Sequence, residues 1–412
     1  MNLLKISLAN LKEKKLNSFL SAMLLTLGIG MISLLLLLNK QLDEQFRRNI
    51  KGIDMVVGAK GSPLQLILSS IYQIDAPTGN VPLSEVNALK RNPFIKNVIP
   101  LSMGDNYHGF RIVGTTTKYV DHFQAKIGQG SLFEKPMDVV LGSKAAKNSA
   151  LKIGDTFASS HGLDTDGDAH HDKKYKVVGI FEPTGAVVDQ LILTNLESVW
   201  EIHAHAEAPA TGVKENDPAH EEDMAEPHHE DEKQVTSALI QFRNPMGLLT
   251  IPRQVNENTS MQAALPSIEI NRLFSLLGVG IDTLRALALV IIIIAGVSVF
   301  ISLYNSLKER KYEMALMLSM GATRTKLFLM LLMEGLFLAV TGYLAGIILS
   351  RVGLWLFGRA AEQDFHYSIR EFTVLPEEIY LLAGALMLGL LAAALPSLGI
   401  YRLNISRTLA EE

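Results

Sequence analysis

Residues 284–304 read LRALALVIIIIAGVSVFISLY, with a single charged residue, Arg285, near the beginning. A helix needs about 20 apolar residues to cross roughly 30 Å of hydrocarbon, and this run meets that length. Residues 19–38, 327–350 and 379–400 are similarly long and apolar. Buried helices of soluble proteins rarely extend so far with so little charge. The sequence therefore predicts an integral membrane α-helical protein with four transmembrane helices.

The composition agrees with a chain that is partly embedded and partly soluble. Of 412 residues, 48% are apolar and 19% are charged, against about 25% charged in an ordinary soluble domain. The net charge of -4 gives no support for a nucleic-acid partner. The absence of cysteine excludes disulfides and thiolate metal sites.

The N-terminal region allows two interpretations. Its apolar stretch is too long for a cleaved signal peptide and no small-residue cleavage site follows it, so residues 19–38 are interpreted as an uncleaved first span. Residues 1–18 alternate leucines with lysines. They form either an amphipathic helix along the inner membrane surface or a simple cytoplasmic extension of the first span.

Orientation follows the distribution of lysine and arginine. Residues 1–18 and 305–326 are rich in both, whereas residues 351–378 are acidic on balance. We therefore expect both termini, the 305–326 segment and the 401–412 tail to be cytoplasmic in a bacterial cytoplasmic (inner) membrane. Residues 39–283 and the short loop 351–378 would then lie outside.

The segment 39–283 is large enough for a folded extracytoplasmic domain. Strand-like runs such as residues 175–181 alternate with short helical runs, which predicts an α+β domain between the first and second spans. Residues 268–283 are expected to form a helical stalk that leads into the second span.

A histidine-rich loop is predicted at about residues 160–234. It holds eight of the eleven histidines, namely His161, His170, His171, His203, His205, His220, His228 and His229. Imidazole is a good ligand for zinc. Three interpretations stay open: a solvated polar loop, loose capture of a transition metal such as zinc, and a pH-responsive loop.

Residues 308–324 read KERKYEMALMLSMGATR and lie between the second and third spans. Residues 140–146 (VLGSKAA), 151–155 (LKIGD) and 177–181 (VVGIF) lie in the outer domain. Together these segments and the topology resemble permeases of the MacB/FtsX type of ABC transporter, over nearly the whole chain.

The resemblance implies that an ABC ATPase dimer binds below two permease copies, most simply a homodimer, and carries ATP and magnesium. It implies ATPase coupling through Lys308, Glu309, Arg310, Glu313, Met317, Gly321, Ala322 and Arg324. The alternative interpretation is that this segment is an ordinary charged cytoplasmic loop with no role in coupling. No G-x-x-x-x-G-K-[ST] motif occurs in the sequence, so we expect no enzymatic activity and no cofactor bound by this chain, zinc aside.

Three residues inside the third span stand out. Glu334 is ionisable within an apolar stretch, and such a residue is either functional or lies near the headgroups, paired with a basic residue of the 305–326 segment. Gly342 and Gly346 form a small-xxx-small pair that lets helices approach closely, either within one subunit or at a dimer seam.

Three functions are compatible with these features. The first is an ATP-driven export or extraction machine, with a periplasmic adaptor or lipoprotein as a further candidate partner. The second is a transition-metal (zinc) transport system. The third is a signalling permease that transports nothing and activates a cell-wall hydrolase.

Overall fold

The computed structural model describes residues 3–13, 15–161, 173–203, 233–365 and 374–402. Within these ranges the α-helices, in chain order, are α1 (Leu3–Glu13), α2 (Lys15–Ile50), α3 (Pro63–Ile67), α4 (Leu83–Ala88), α5 (Thr117–His122), α6 (Ser143–Ser149), α7 (Leu196–His203), α8 (Gly247–Asn258), α9 (Pro266–Glu309), α10 (Lys311–Ser319), α11 (Arg324–Phe365) and α12 (Glu377–Ser397). The chain divides into two compact units. One is a helical unit, residues 1–43 and 275–412, and the other is an inserted domain, residues 44–274.

Four of these helices are long and apolar enough to cross a membrane: α2, α9, α11 and α12. Each contains all or most of a predicted span. The predicted stalk and second span lie together in the single 44-residue helix α9. A helix of that length measures about 66 Å.

The helical unit has its own apolar core. Leu25 and Ile29 of α2, Val299 of α9 and Leu338 of α11 are among its buried members, and small residues of α12 complete it. Because the core draws on all four long helices, they form one bundle.

The structure differs from the expected loop at 351–378, since residues 351–365 continue α11. The apolar stretch stops at Arg351 in the sequence, but the helix does not. The guanidinium of Arg351 is neutralised by Glu378 of α12, at 2.9 Å, and so does not have to reach water. In α11, the helix therefore extends beyond the predicted membrane span.

The inserted domain is built on an 11-stranded mixed sheet. The described strands of the domain, of which all but β2 and β11 belong to this sheet, are β1 (Met55–Ala59), β2 (Val81–Pro82), β3 (Ile95–Tyr107), β4 (Phe110–Thr115), β5 (Ile127–Gly130), β6 (Asp138–Leu141), β7 (Thr156–Phe157), β8 (Ser160–His161), β9 (Tyr175–Phe181), β10 (Ile192–Asn195), β11 (Gln234–Val235), β12 (Ser237–Phe242) and β13 (Met261–Ala264). The sheet order is β13-β1-β12-β3-β4-β10-β6-β9-β5, with β7 on β9 and β8 on β3; β2 and β11 form a separate pair. The β4–β10 and β6–β9 pairs are parallel and the other pairs are antiparallel.

Both faces of the sheet are buried, and strand alternation divides them. In β1, Val56 points into one core, which also holds Leu101 and Leu193. Its neighbours Met55 and Val57 point into a second core that is covered by Ile251 of α8. Successive side chains of a strand point to opposite faces, so one short apolar strand serves both cores.

Inside the domain, the last turns of α2 meet the first turns of α9. The ring of Phe46 lies 5.5 Å from that of Phe274, centroid to centroid, and 4.6 Å from that of Tyr72. The hydroxyl of Tyr72 donates to the carbonyl of Phe46 at 2.9 Å. The two helices that lead to the first and second spans are therefore joined by aromatic packing within the domain.

The expected histidine-rich loop at 160–234 is wrong as a single loop. Residues 173–203 form β9, β10 and α7, and β9 has the alternating burial of a strand with one face in the core. Strand β9 coincides with the strand-like run expected at residues 175–181. Residues 162–172 and 204–232 lie outside the described part of the chain.

One half-buried histidine gives the inserted domain a pH dependence. Nδ1 of His122 accepts from Nε2 of Gln241 at 2.8 Å, and burial lowers the pKa of His122 below its ordinary 6.5. The unfolded chain therefore binds this proton first as the pH falls, so folding stability decreases below about pH 6.5. We expect unfolding of the domain in denaturant to be less pH-dependent between pH 7.5 and 5 in His122→Gln. An unchanged pH dependence would contradict this assignment.

Candidate functional site

Helix α10 lies between α9 and α11 and is bounded by two local signals. Arg310 leaves the helical conformation (φ -103°) and separates α10 from α9. At the other end, Gly321 adopts φ +94°, where a side chain would be strained. The amide of Ala322 donates to the carbonyl of Met317 at 2.9 Å, and that of Gly321 to the carbonyl of Leu318 at 3.1 Å. This pair of bonds is a Schellman motif, which stops the helix and turns the chain.

One face of α10 is built into the bundle. Met314 and Ala315 are buried, and Met314 joins a cluster with residues from the neighbouring helices. The other buried members of that cluster are Leu307, Leu327, Met330, Leu331 and Ile400, with Ile6 and Met317 packed against it. Helix α10 is thus held by α1, α9 and α11 and by the short 3₁₀ turn after α12.

The opposite face of α10 is open. Tyr312, Leu316 and Met320 follow one another at four-residue spacing and are 41%, 45% and 80% exposed. Residues four apart share one face of a helix, so the three form a stripe, here called the outer stripe. Exposed basic residues occur in α10 and in the chain segments on either side of it: Lys308, Lys311, Arg324 and Lys326.

Arg310 lies on the inner side, where it contacts three acceptors. Its Nε donates to Glu313 at 3.0 Å, and its Nη2 lies 3.8 Å from a carboxylate oxygen of Glu13. Nη2 also donates to Oδ1 of Asn10. Nδ2 of Asn10 in turn donates to Oε1 of Glu334 at 2.6 Å. The two charged residues Arg310 and Glu334 are therefore joined through one neutral amide.

The structure sorts the predicted coupling residues into groups. Lys308, Glu309 and Arg324 are exposed, and Arg324 also donates to the carbonyl of Tyr401. Arg310 and Glu313 belong to the inner polar network. Met317, Gly321 and Ala322 shape the helix and its end. The outer stripe itself was not among the predicted residues, although its four-residue spacing could have shown it.

Glu334 is 2% exposed and lies in the third span. One of the two interpretations from the sequence was pairing with a basic residue of the 305–326 segment. In the structure, a hydrogen-bonded link from Glu334 to such a residue, Arg310, passes through Asn10 of α1. No pattern in the sequence connects residues 10 and 334.

Gly342 and Gly346 face α2 of the same chain. A side-chain carbon at Gly342 would come within 2.7 Å of Cβ of Leu25, and one at Gly346 within 3.1 Å of the backbone nitrogen of Gly30. Small residues permit such close approach of helix backbones. This geometry favours packing within one subunit over a dimer seam for this pair.

A second close contact joins α11 and α12. A side-chain carbon at Gly389 would lie 2.7 Å from Cβ of Ala339 and 2.8 Å from the carbonyl oxygen of Gly335. Small residues recur every four positions on both helices here, at Gly335 and Ala339 and at Ala385, Gly389 and Ala393. The sequence carried this signal, but it was not singled out.

We expect Gly389→Ala to destabilise the bundle by about 1–3 kcal/mol, because the added methyl meets backbone atoms that cannot move aside easily. Gly384→Ala is the matched control on the same helix, since nothing lies within 4 Å of the position that its methyl group would take. Unfolding of the purified chain in mixed micelles measures both variants. Equal stability of the two would refute the close contact.

At the end of the bundle away from α10, three long helices share a buried polar cluster. Nη2 of Arg351 donates to Oε2 of Glu378 at 2.9 Å, and Nη1 lies 2.9 Å from Oε1. The hydroxyl of Ser33 donates to the same carboxylate at 2.8 Å. Glu378 is 3% exposed, so its charge is balanced almost entirely by these groups.

Of the eight histidines proposed as metal ligands, the structure describes two, His161 and His203. Nε2 of His203 lies 3.9 Å from Oδ1 of the buried Asp105, and His161 pairs with Asp105 through the backbone of β8 and β3. His170, His171, His205, His220, His228 and His229 lie outside the described residues. Among the residues described, no group of three or more His, Asp or Glu side chains could hold a metal ion.

The same region holds a buried tyrosine. Burial and the nearby carboxylate of Asp105 both raise the pKa of Tyr175, so its hydroxyl stays neutral. With Asp105 and Tyr175 both buried, this part of the sheet is a polar patch inside the domain core.

Two protein-family models match this chain. The family model of the MacB-like periplasmic core domain matches residues 18–226, half of the chain, and that of the FtsX-like permease C-terminal region matches residues 285–405. The chain belongs to the MacB/FtsX-like ABC transporter permease family. The first match covers most of α2 and most of the inserted domain, and the second covers the helical unit from the middle of α9 onwards.

Solved structures with similarity include the periplasmic region of MacB from Actinobacillus actinomycetemcomitans, at 14% identity and a TM-score of 0.33, covering 55% of this chain and 95% of that one. Another is the extracellular domain of the noncanonic ABC-type transporter YknZ from Gram-positive bacteria, at 12% identity and a TM-score of 0.30, covering 51% of this chain and 98% of that one. No curated protein sequence matches the chain.

Proposed function

We propose that this MacB/FtsX-like permease couples ATP hydrolysis by a separate ABC ATPase dimer to motion of its inserted domain, for export or extraction of a substrate. The observation that carries the proposal is the construction of α10. Its inner face is fixed in the bundle core, and its outer stripe of Tyr312, Leu316 and Met320 is open. A rigidly mounted helix with an exposed apolar face is suited to receive a force from a partner.

The chemistry of the outer stripe fits a protein partner. Aromatic residues and methionine are enriched at the centres of protein interfaces, and a charged rim adds specificity. Methionine also adapts its shape readily, which suits a contact that must change during an ATP cycle. The exposed basic residues in and next to α10 would pair with acidic groups on the ATPase.

Two continuous helices provide the path for motion. Helix α2 has 36 residues and α9 has 44, and each extends from the inserted domain through a candidate span. Helix α9 ends directly before Arg310 and α10. A displacement of α10 would therefore act on the end of α9 first.

In this proposal α10 lies on the cytoplasmic side and the inserted domain lies outside. ATP and magnesium bind to the ATPase, and a second permease copy completes the assembly. This chain itself performs no catalysis.

The test is reconstitution of the full chain in nanodiscs with its partner ABC ATPase. We expect a stable complex whose ATP turnover differs from that of the ATPase alone. If the two proteins do not associate, or if turnover is the same with and without the permease, the proposal is wrong.

A further inference from the structure

The N-terminal helix α1 is anchored to the third span by polar contacts as well as apolar ones. The hydroxyl of Ser7 donates to the carbonyl of Met330 at 3.1 Å, and Asn10 donates to Glu334. Ser7 is fully buried and Asn10 is 7% exposed. The side of α1 that faces α11 is thus partly polar, whereas a helix lying on a membrane surface would direct its polar side to water.

Asn10 has the chemistry that its position requires. An amide offers a donor and an acceptor on one short side chain. The neighbouring carboxylate of Glu334 can only accept in its ionised form, and the guanidinium of Arg310 can only donate. The two charges therefore fix the orientation of the amide, with nitrogen towards Glu334 and oxygen towards Arg310.

The contact brings together three distant parts of the sequence. Asn10 and Arg310 are 300 positions apart, and Asn10 and Glu334 are 324 positions apart. Glu13, one turn further along α1, adds a second acceptor for Arg310. Helix α1 therefore binds Arg310, the residue that separates α9 from α10.

We propose that α1 belongs to the force-receiving unit and that Asn10 is its positioning residue. Through Asn10, a displacement at Arg310 is passed to α1 and to α11 together, so α1, α10 and the first turns of α11 move as one body. This inference rests on the function proposed for α10. It adds α1 to the helices that transmit the displacement.

The direction of the hydrogen bonds around Asn10 predicts that one substitution breaks the link and that a second substitution restores it. In Asn10→Asp a carboxylate oxygen replaces the amide nitrogen that donates to Glu334, which breaks the link. Adding Glu334→Gln restores a donor, because the glutamine amide can donate to the aspartate while Arg310 still donates from the other side. Asn10→Asp should therefore lower permease-dependent ATP turnover, and the double variant Asn10→Asp/Glu334→Gln should restore it.

The link itself can be measured in the full chain alone. The sequence has no cysteine, so spin labels can be placed at Lys12→Cys and Ser319→Cys without background, both positions being exposed. We expect a narrow label-to-label distance distribution that broadens in Asn10→Leu and Asn10→Asp and narrows again in the double variant. Ser7→Ala is the matched control, because it removes a buried bond between α1 and α11 without touching Arg310.

The role in coupling is measured with the ATPase bound. We expect Asn10→Leu to lower permease-dependent ATP turnover by about tenfold, the effect of losing a hydrogen bond to a charged group, while ATPase affinity stays unchanged. The proposal is overturned if Asn10→Leu keeps a narrow distribution or normal turnover, if Ser7→Ala has the same effect, or if the double variant is not rescued. Failure of the ATPase to bind α10 would instead overturn the proposed function, and the distances measured in the chain alone would distinguish the two cases.

Discussion

Leu316→Asp is expected to abolish assembly with the ATPase. Leu316 is the central residue of the outer stripe, and a partner that covers it removes both this side chain and its neighbours from water. Losing the leucine contact costs about 1.5–3 kcal/mol, and burying an unpaired carboxylate costs more. The sum is a loss of affinity of at least about 100-fold.

The measurement is the affinity of the partner ATPase for the permease in nanodiscs. Leu249→Asp is the matched control, because Leu249 of the inserted domain is an exposed leucine, 74% accessible, on the helix α8. The control should bind the ATPase normally. If Leu316→Asp binds as well as the control, the outer stripe is not the docking surface.

Arg351→Ala is expected to be the most destabilising single change in the helical unit. It leaves the carboxylate of Glu378 buried without its guanidinium, and breaking such a buried pair costs about 3–5 kcal/mol. Replacing both partners by apolar residues of similar size removes the uncompensated charge. Arg351→Met/Glu378→Leu should therefore be more stable than Arg351→Ala.

The free energy of unfolding in mixed micelles distinguishes these cases. Arg359→Ala serves as the control on the same helix, because Arg359 is exposed and its guanidinium lies over the ring of Trp355 at 4.0 Å. An exposed cation–π contact contributes only about 0.5–1 kcal/mol. Should Arg351→Ala cost no more than Arg359→Ala, the ion pair does not hold the three helices together.

Both predictions concern features that the sequence indicated only in part. The segment 308–324 was identified, but Met317 was placed among the coupling residues, whereas the structure packs it towards the core. The face of a short helix that is buried depends on its neighbours, and residues 314–318 are all apolar, so the sequence does not show which side that is. The histidine-rich segments remain a prediction for the part of the chain that the structure does not describe.

Nothing in the sequence distinguishes Glu378, because it lies in an acidic stretch just before the fourth span. Its carboxylate resembles the neighbouring ones in sequence. Only the arrival of Arg351 and Ser33 from two other helices distinguishes it.

The sequence by itself determined the four spans and the inserted α+β domain. These features follow from the length of apolar runs and from strand alternation, both of which are local properties of the chain. The tertiary structure alone decided that Gly346 packs against Gly30, that Glu334 reaches Arg310 through Asn10 and that Arg351 meets Glu378. These contacts depend on the packing of helices that are distant along the chain. A buried charge is stable only when an oppositely charged or hydrogen-bonding group lies next to it, and the fold determines which group that is.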